Sequence, residues 1–121
     1  MRKTDKKLER SIVLALTDAC EEDLKAYEGF QWLTHLVNFH AFPESLTVIC
    51  VFDTQDNLKK TIGNEAVEQF KAAIETRLLS QQIRVKDIKK RILFDTEEAC
   101  DAEHEGNWNK RLEGLQSARH V

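Results

Sequence analysis

Glycine, proline and long apolar runs are scarce in this chain of 121 residues. Four glycines and one proline are too few for a collagen-like, low-complexity or turn-rich all-β chain. No run of about 18 apolar residues occurs, so the sequence predicts no membrane-spanning helix. The basic N-terminus is followed by apolar positions that charges interrupt, which is not the pattern of a secretory signal peptide. These features predict a globular chain whose length fits one domain.

Cysteine is also sparse, and its spacing excludes the common cysteine-based sites. The three cysteines, Cys20, Cys50 and Cys100, are odd in number, lie far apart and form no CxxC pair. This usage indicates reduced thiols rather than a disulfide framework. It therefore predicts a cytoplasmic location for the protein.

Helical and strand-like patterns alternate along the chain. A 3.6-residue period of apolar positions predicts helices, and near-continuous or alternating apolar runs predict strands. In chain order, the predicted elements are a helix at 4–27, strands at 30–39 and 46–52, a helix at 65–82, a strand at 89–94 and a helix at 96–103. Two further segments, 58–62 and 109–115, are short helical candidates.

The order α-β-β-α-β-α predicts an α+β fold, a single-domain sandwich in which helices cover a small mixed sheet. The short turn after the first strand favours an antiparallel hairpin, whereas the helix after the second strand favours a parallel partner. The domain is expected to span residues 1–121, with a loosely attached tail over 106–121.

Two of the predicted strands end in the same three residues. They are Phe52-Asp53-Thr54 and Phe94-Asp95-Thr96. Parallel strands would bring both Asp side chains to the carboxyl edge of the sheet, where open α/β sheets form ligand sites. Neighbouring carboxylates favour a hard divalent cation, so Asp53, Asp95 and Glu97 are candidate ligands for Mg²⁺ or Mn²⁺. The same residues also suit turns and helix caps, and this is the simpler interpretation.

A cluster of cations is the second candidate site. Between residues 84 and 91, five basic side chains accompany a single acid, Asp87, in a chain whose net charge is −3. We call this stretch the basic segment, and its cations are Arg84, Lys86, Lys89, Lys90 and Arg91. Such a cluster can bind a polyanion, and phosphate contacts would make that binding strongly salt-dependent. The alternative is a solvated loop and strand edge, where lysines discourage edge-to-edge pairing of sheets.

Several passages together resemble a family of short, uncharacterised bacterial cytosolic proteins. They are Gly29-Phe30-Gln31-Trp32-Leu33-Thr34-His35-Leu36-Val37-Asn38, Val51-Phe52-Asp53-Thr54, and Asp95-Thr96-Glu97-Glu98-Ala99-Cys100 with His104, Gly106, Trp108, Asn109, Arg111 and Leu112. The resemblance covers nearly the whole chain and implies a bacterial cytosolic protein. Some members are labelled Fis-like transcriptional regulators. Fis-type proteins are all-helical and end in a basic helix-turn-helix, whereas this chain has a strand-rich middle and an acidic stretch at 97–105, so no functional residue is carried over.

The sequence favours a non-catalytic binding or regulatory module over an enzyme, because no catalytic constellation stands out. The expected partner is a protein or a nucleic acid that contacts residues 84–91, and no cofactor and no membrane contact are expected. The alternative is a divalent-metal-dependent phosphoesterase or nuclease that uses Asp53 and Asp95 to hold Mg²⁺ or Mn²⁺. A homodimer is a further option, because an apolar patch around Trp108 and Leu112 would favour self-association.

Overall fold

The computed structural model describes residues 3–119, with side chains as far as residue 114. A three-stranded mixed sheet and five α-helices in this part of the chain confirm the predicted α+β fold class. In chain order, the elements are helix α1 (Lys3–Asp18), strands β1 (Phe30–Leu36) and β2 (Thr47–Phe52), helices α2 (Gln55–Ile62) and α3 (Ala66–Ser80), strand β3 (Ile92–Thr96), and helices α4 (Glu97–His104) and α5 (Trp108–Arg119). No helix within residues 3–119 is both long and apolar enough to cross a membrane.

The sheet has the order β1-β2-β3 and contains both predicted pairings. β1 pairs antiparallel with β2, and β3 pairs parallel with β2. All six residues of the central strand β2 are buried, because it has a strand on either side and packs against helices. This burial explains its near-continuous run of apolar residues.

The third strand was predicted to begin at residue 89, and this boundary is wrong. Residues Ile88–Arg91 form a turn of 3₁₀-helix, and β3 begins at Ile92. The turn follows Asp87, whose φ of +55° lies in the left-handed region, and the Lys90 N–H donates to the Asp87 carbonyl at 2.9 Å. A local turn therefore overrides the strand pattern of these residues.

Helices α1 and α3 bury one face of the sheet. The aromatic ring of Phe70 in α3 lies at the centre of this core, with ring centroids 5.8 Å from Phe52 and 5.5 Å from Phe94. Ile12 and Leu16 of α1 belong to the same buried cluster. The periodic apolar stripe predicted for the helix at 65–82 is the surface that α3 buries here.

A bulge in β1 places two neighbouring aromatic residues on opposite faces of the sheet. The register shifts between Phe30 and Trp32, so Phe30 pairs with Phe52 and Trp32 pairs with Val51. The Phe30 ring packs on Phe52 in the helix-covered core, with centroids 5.8 Å apart. Trp32 faces the other side, where it meets Trp108 of α5.

Candidate functional site

Asp53 and Asp95 lie at the same edge of the sheet, as the repeated sequence predicted. We call residues 52–54 and 94–96 the FDT edge. In the parallel pair β2–β3, Val51 lies beside Asp95, and Asp53 follows Val51 by two residues, just past the end of β2. With a rise of about 3.3 Å per residue and about 4.8 Å between strands, the two Asp Cα atoms are separated by roughly 8 Å.

Asp53 forms the turn between β2 and α2. Its Oδ1 accepts hydrogen bonds from the Thr54 backbone N–H at 2.6 Å and from the Asn57 side-chain amide at 2.9 Å. The Asn57 amide, followed by the neighbouring backbone donors, lowers the pKa of Asp53 below its ordinary value. Thr54 caps α2, because its hydroxyl accepts from the Asn57 N–H at 3.2 Å. Asp53 is thus an ionised turn residue.

Asp95 forms a two-point ion pair with Arg111 of α5. Arg111 Nε donates to Oδ2 at 2.5 Å, and Nη2 donates to Oδ1 at 2.9 Å. The Thr96 backbone N–H also donates to Oδ1, at 2.9 Å. The Asp95 and Arg111 side chains are only 12% and 15% exposed, and the hydrogen bonds to Asp95 raise the pKa of Arg111. The Arg111 guanidinium therefore neutralises the Asp95 carboxylate from within the chain.

Arg111 also connects α5 with α4. Its Nη1 donates to the Glu103 carboxylate and lies 3.1 Å from His104 Nδ1. The same Nη1 reaches the Ala99 carbonyl at 3.4 Å. Because Arg111 has only donors, His104 Nδ1 can take part in this contact only as an acceptor. One guanidinium therefore joins β3, α4 and α5.

Glu97 accepts hydrogen bonds from both tryptophans of the chain. Its Oε1 accepts from the Trp32 indole N–H at 2.6 Å, and its Oε2 accepts from the Trp108 indole N–H at 3.0 Å. The two rings pack edge to face with centroids 4.8 Å apart. We call these three residues the indole clamp. The carboxylate of this predicted metal ligand therefore links β1, through Oε1, with α5, through Oε2.

The three predicted acids therefore lie at the FDT edge or next to it in the chain, and each is engaged in bonds within the fold. Asp53 caps a turn, Asp95 pairs with Arg111, and Glu97 holds the indole clamp. Within residues 3–119, no three His, Cys, Asp or Glu side chains are grouped so that they could hold a metal ion. Binding of Mg²⁺ or Mn²⁺ at these residues stays a prediction.

Sequence reasoning did not find the partners of these acids. Arg111 is 16 residues from Asp95, and Trp32 is 65 residues from Glu97. No helical or strand period connects such positions. The tertiary fold brings them together, because α5 packs beside the end of β3 and α4 starts within reach of β1.

Three cations of the basic segment face solvent. Arg84, Lys86 and Lys90 are exposed. None of these side chains forms a hydrogen bond or an ion pair with the part of the chain whose side chains are described. Their charges are available to a partner.

The other two cations of the basic segment have partners within the fold. Arg91 donates from Nε to the Leu46 carbonyl at 2.8 Å and from Nη2 to the Thr47 hydroxyl at 3.3 Å. Lys89 Nζ lies 3.5 Å from a carboxylate oxygen of Glu68. Arg91 therefore connects the 3₁₀ turn to the start of β2.

Two adjoining depressions flank Arg84. The larger, which we call the long groove, has a volume of about 620 Å³ and runs between the end of α3 and residues 83–88. The smaller, which we call the Lys7–Arg84 cleft, has a volume of about 440 Å³ and lies between the start of α1 and the end of α3. Both are lined by Pro43, Ile83 and Arg84, so the two depressions are neighbours on the surface.

Comparisons with known proteins assign no function to these features. No protein-family model, curated protein or solved structure matches this chain.

Proposed function

We propose that this protein is a non-catalytic binding module that contacts a negatively charged partner through the exposed cations of the basic segment. The observation that carries the proposal is that Arg84, Lys86 and Lys90 are exposed and pair with no described side chain. Arg84 and Lys86 also line the long groove, together with three acids and with apolar residues such as Leu78, Ile83 and Val85. An apolar centre with a charged rim is the usual composition of a protein interface.

The bonds at the FDT edge support a binding role over catalysis. A general acid, a general base or a metal ligand must reach the reacting group. Asp95 and Glu97 instead make their hydrogen bonds with Arg111 and the two indoles. Their arrangement suits a structural contact that fixes α5.

A regulatory role in the cytoplasm belongs to the same proposal. Cys20, Cys50 and Cys100 are free thiols in the structure. Burial raises the pKa of the Cys50 and Cys100 thiols, which keeps them in the unreactive protonated form. Unpaired thiols suit a reducing compartment.

The test measures binding of labelled polyglutamate and of labelled oligonucleotides by fluorescence anisotropy at several salt concentrations. In the test variant, Arg84, Lys86 and Lys90 are each replaced by Glu. The matched control replaces Arg10, Lys25 and Lys59 by Glu, which changes one Arg and two Lys at exposed positions elsewhere. We expect at least one probe to bind the native chain, and its affinity to fall by about tenfold or more only in the test variant.

Two results would contradict the proposal. One is the absence of binding by every anionic probe. The other is an equal loss of affinity in both variants, because net charge rather than the basic segment would then control binding. Since all six positions are exposed, both variants should unfold close to the native transition, and thermal unfolding checks this directly.

A further inference from the structure

The Lys7–Arg84 cleft differs from the long groove in charge. Lys7 and Arg84 contribute the only charged side chains among its described lining residues, and both are cations. They come from α1 and from the chain after α3, so the fold brings two distant cations to one depression. The electrostatic potential of the cleft therefore favours a negatively charged group.

The remaining lining of the cleft is neutral and has two kinds of surface. Thr4, Ser11, Gln81 and Gln82 supply side-chain hydrogen-bonding groups. Leu8, Phe42, Pro43 and Ile83 supply apolar surface. A ligand that fits this lining carries a negative charge next to an apolar group.

The long groove imposes a second restriction on the partner. Besides Arg84 and Lys86, it is lined by three acids, Glu44, Glu75 and Asp87. A nucleic acid carries a negative charge at every phosphate, so its backbone would meet these carboxylates as it continued from the cleft. A polypeptide can avoid this repulsion, because it can place an acidic residue in the cleft and neutral or basic residues along the groove.

We propose that the Lys7–Arg84 cleft is the anchor site for an extended acidic segment of a partner protein. This inference rests on the proposed function and names the class of its partner. A carboxylate of the segment pairs with Lys7 and Arg84, and a neighbouring apolar side chain packs against the apolar lining. The following residues continue past Arg84 into the long groove, which shares that side chain with the cleft.

The experiment is a selection of random dodecapeptides displayed on phage, with the native chain as target. Enriched peptides are then synthesised with a fluorescent label, and their affinities are measured by anisotropy. The test variant combines Lys7→Glu with Arg84→Glu. The matched control combines Lys6→Glu with Arg10→Glu, because these are an exposed lysine and an exposed arginine of α1 that line neither the cleft nor the long groove.

We expect enriched peptides to carry Asp or Glu next to an aliphatic or aromatic residue. Their affinity should fall by about tenfold or more in the test variant and by less than about twofold in the control. Replacement of the apolar peptide residue by Ser should also weaken binding, because the apolar lining then loses its contact. Thermal unfolding of both variants confirms that they remain folded.

Several results would overturn the inference. Failure to enrich any peptide, enrichment of peptides without acids, or equal losses in the two variants would each exclude the cleft as an acidic-peptide anchor. Stronger binding of an oligonucleotide, lost in the same test variant, would assign the cleft to nucleic acid instead. If polyglutamate binding still depends on Arg84, Lys86 and Lys90, the proposed function survives the loss of this inference. If no anionic probe binds the native chain, both fail.

Discussion

Gly29 shows how one residue positions the acid that follows β2. Its φ is +85°, and an ideal Cβ at this position would lie 2.5 Å from Asp53 Oδ1 and 2.5 Å from the Asn57 Cβ. The Gly29 carbonyl also accepts a hydrogen bond from the Asp53 N–H at 2.8 Å. Both the backbone conformation and the close approach therefore require glycine here.

We expect Gly29→Ala to lower the free energy of unfolding by about 1–3 kcal/mol, because the methyl group strains the backbone and displaces Asp53. The matched control is Gly114→Ala in α5, where a Cβ would meet no atom within 4 Å. That change should stabilise the helix by up to about 1 kcal/mol. Urea unfolding of the three proteins gives both values, and equal stability of Gly29→Ala and the native chain would contradict the role assigned to Gly29.

At the scale of elements, α5 is attached to the sheet through its first turn. Trp108 meets Trp32 and Glu97, and Arg111 meets Asp95. Both contacts join α5 to residues around the end of β3, and the indole clamp also reaches β1 across the sheet. The position of α5 therefore depends on a few polar side chains with low exposure.

Glu97→Gln tests this attachment. Glutamine has only one acceptor oxygen, so one of the two indole N–H groups loses its partner. We expect a loss of about 1–2 kcal/mol in the free energy of unfolding and faster amide hydrogen exchange in α5. Glu113→Gln is the control, because Glu113 is exposed on the same helix. Unchanged exchange in α5 after Glu97→Gln would show that the indole clamp does not hold the helix.

Element types were predictable from the sequence where local patterns determine them. The β1–β2 hairpin followed from two apolar runs and a short turn, and α3 followed from a 3.6-residue period. The start of β3 was not predictable, because Lys89, Lys90 and Arg91 show no local sign of the 3₁₀ turn. In that turn, Arg91 donates a hydrogen bond to the Leu46 carbonyl next to β2, which is a contact between distant parts of the chain.

At the scale of the whole molecule, a cation that binds only the folded chain would stabilise all of it against unfolding. The metal-dependent alternative predicts such an effect from Mg²⁺ or Mn²⁺ at the FDT edge. We expect no rise in the unfolding temperature with either ion, because Arg111 already neutralises Asp95. We also expect Asp95→Asn to be less stable than the native chain without any metal, since Arg111 then loses a charged partner.

Thermal unfolding with Mg²⁺, Mn²⁺ and no metal checks both expectations. The native chain is compared with Asp53→Asn, Asp95→Asn and the double variant. A rise in the unfolding temperature of the native chain that disappears in the double variant would favour the metal-dependent phosphoesterase or nuclease. Saturating metal would stabilise by about 2.7 kcal/mol at a hundred times its dissociation constant, which thermal unfolding readily detects.

Four features could be predicted from local patterns in the chain: the α+β class, the hairpin, the buried central strand and the position of Asp53 and Asp95 at one sheet edge. These features depend on periodicity and on short connections, and both are local properties of the chain. Three contacts could be seen only in the folded chain: Arg111 neutralises Asp95, Glu97 joins two indoles, and Arg91 bonds to the start of β2. Since the Asp95–Arg111 and Trp32–Glu97 pairs are 16 and 65 positions apart, the packing of the helices and the order of the strands select these partners.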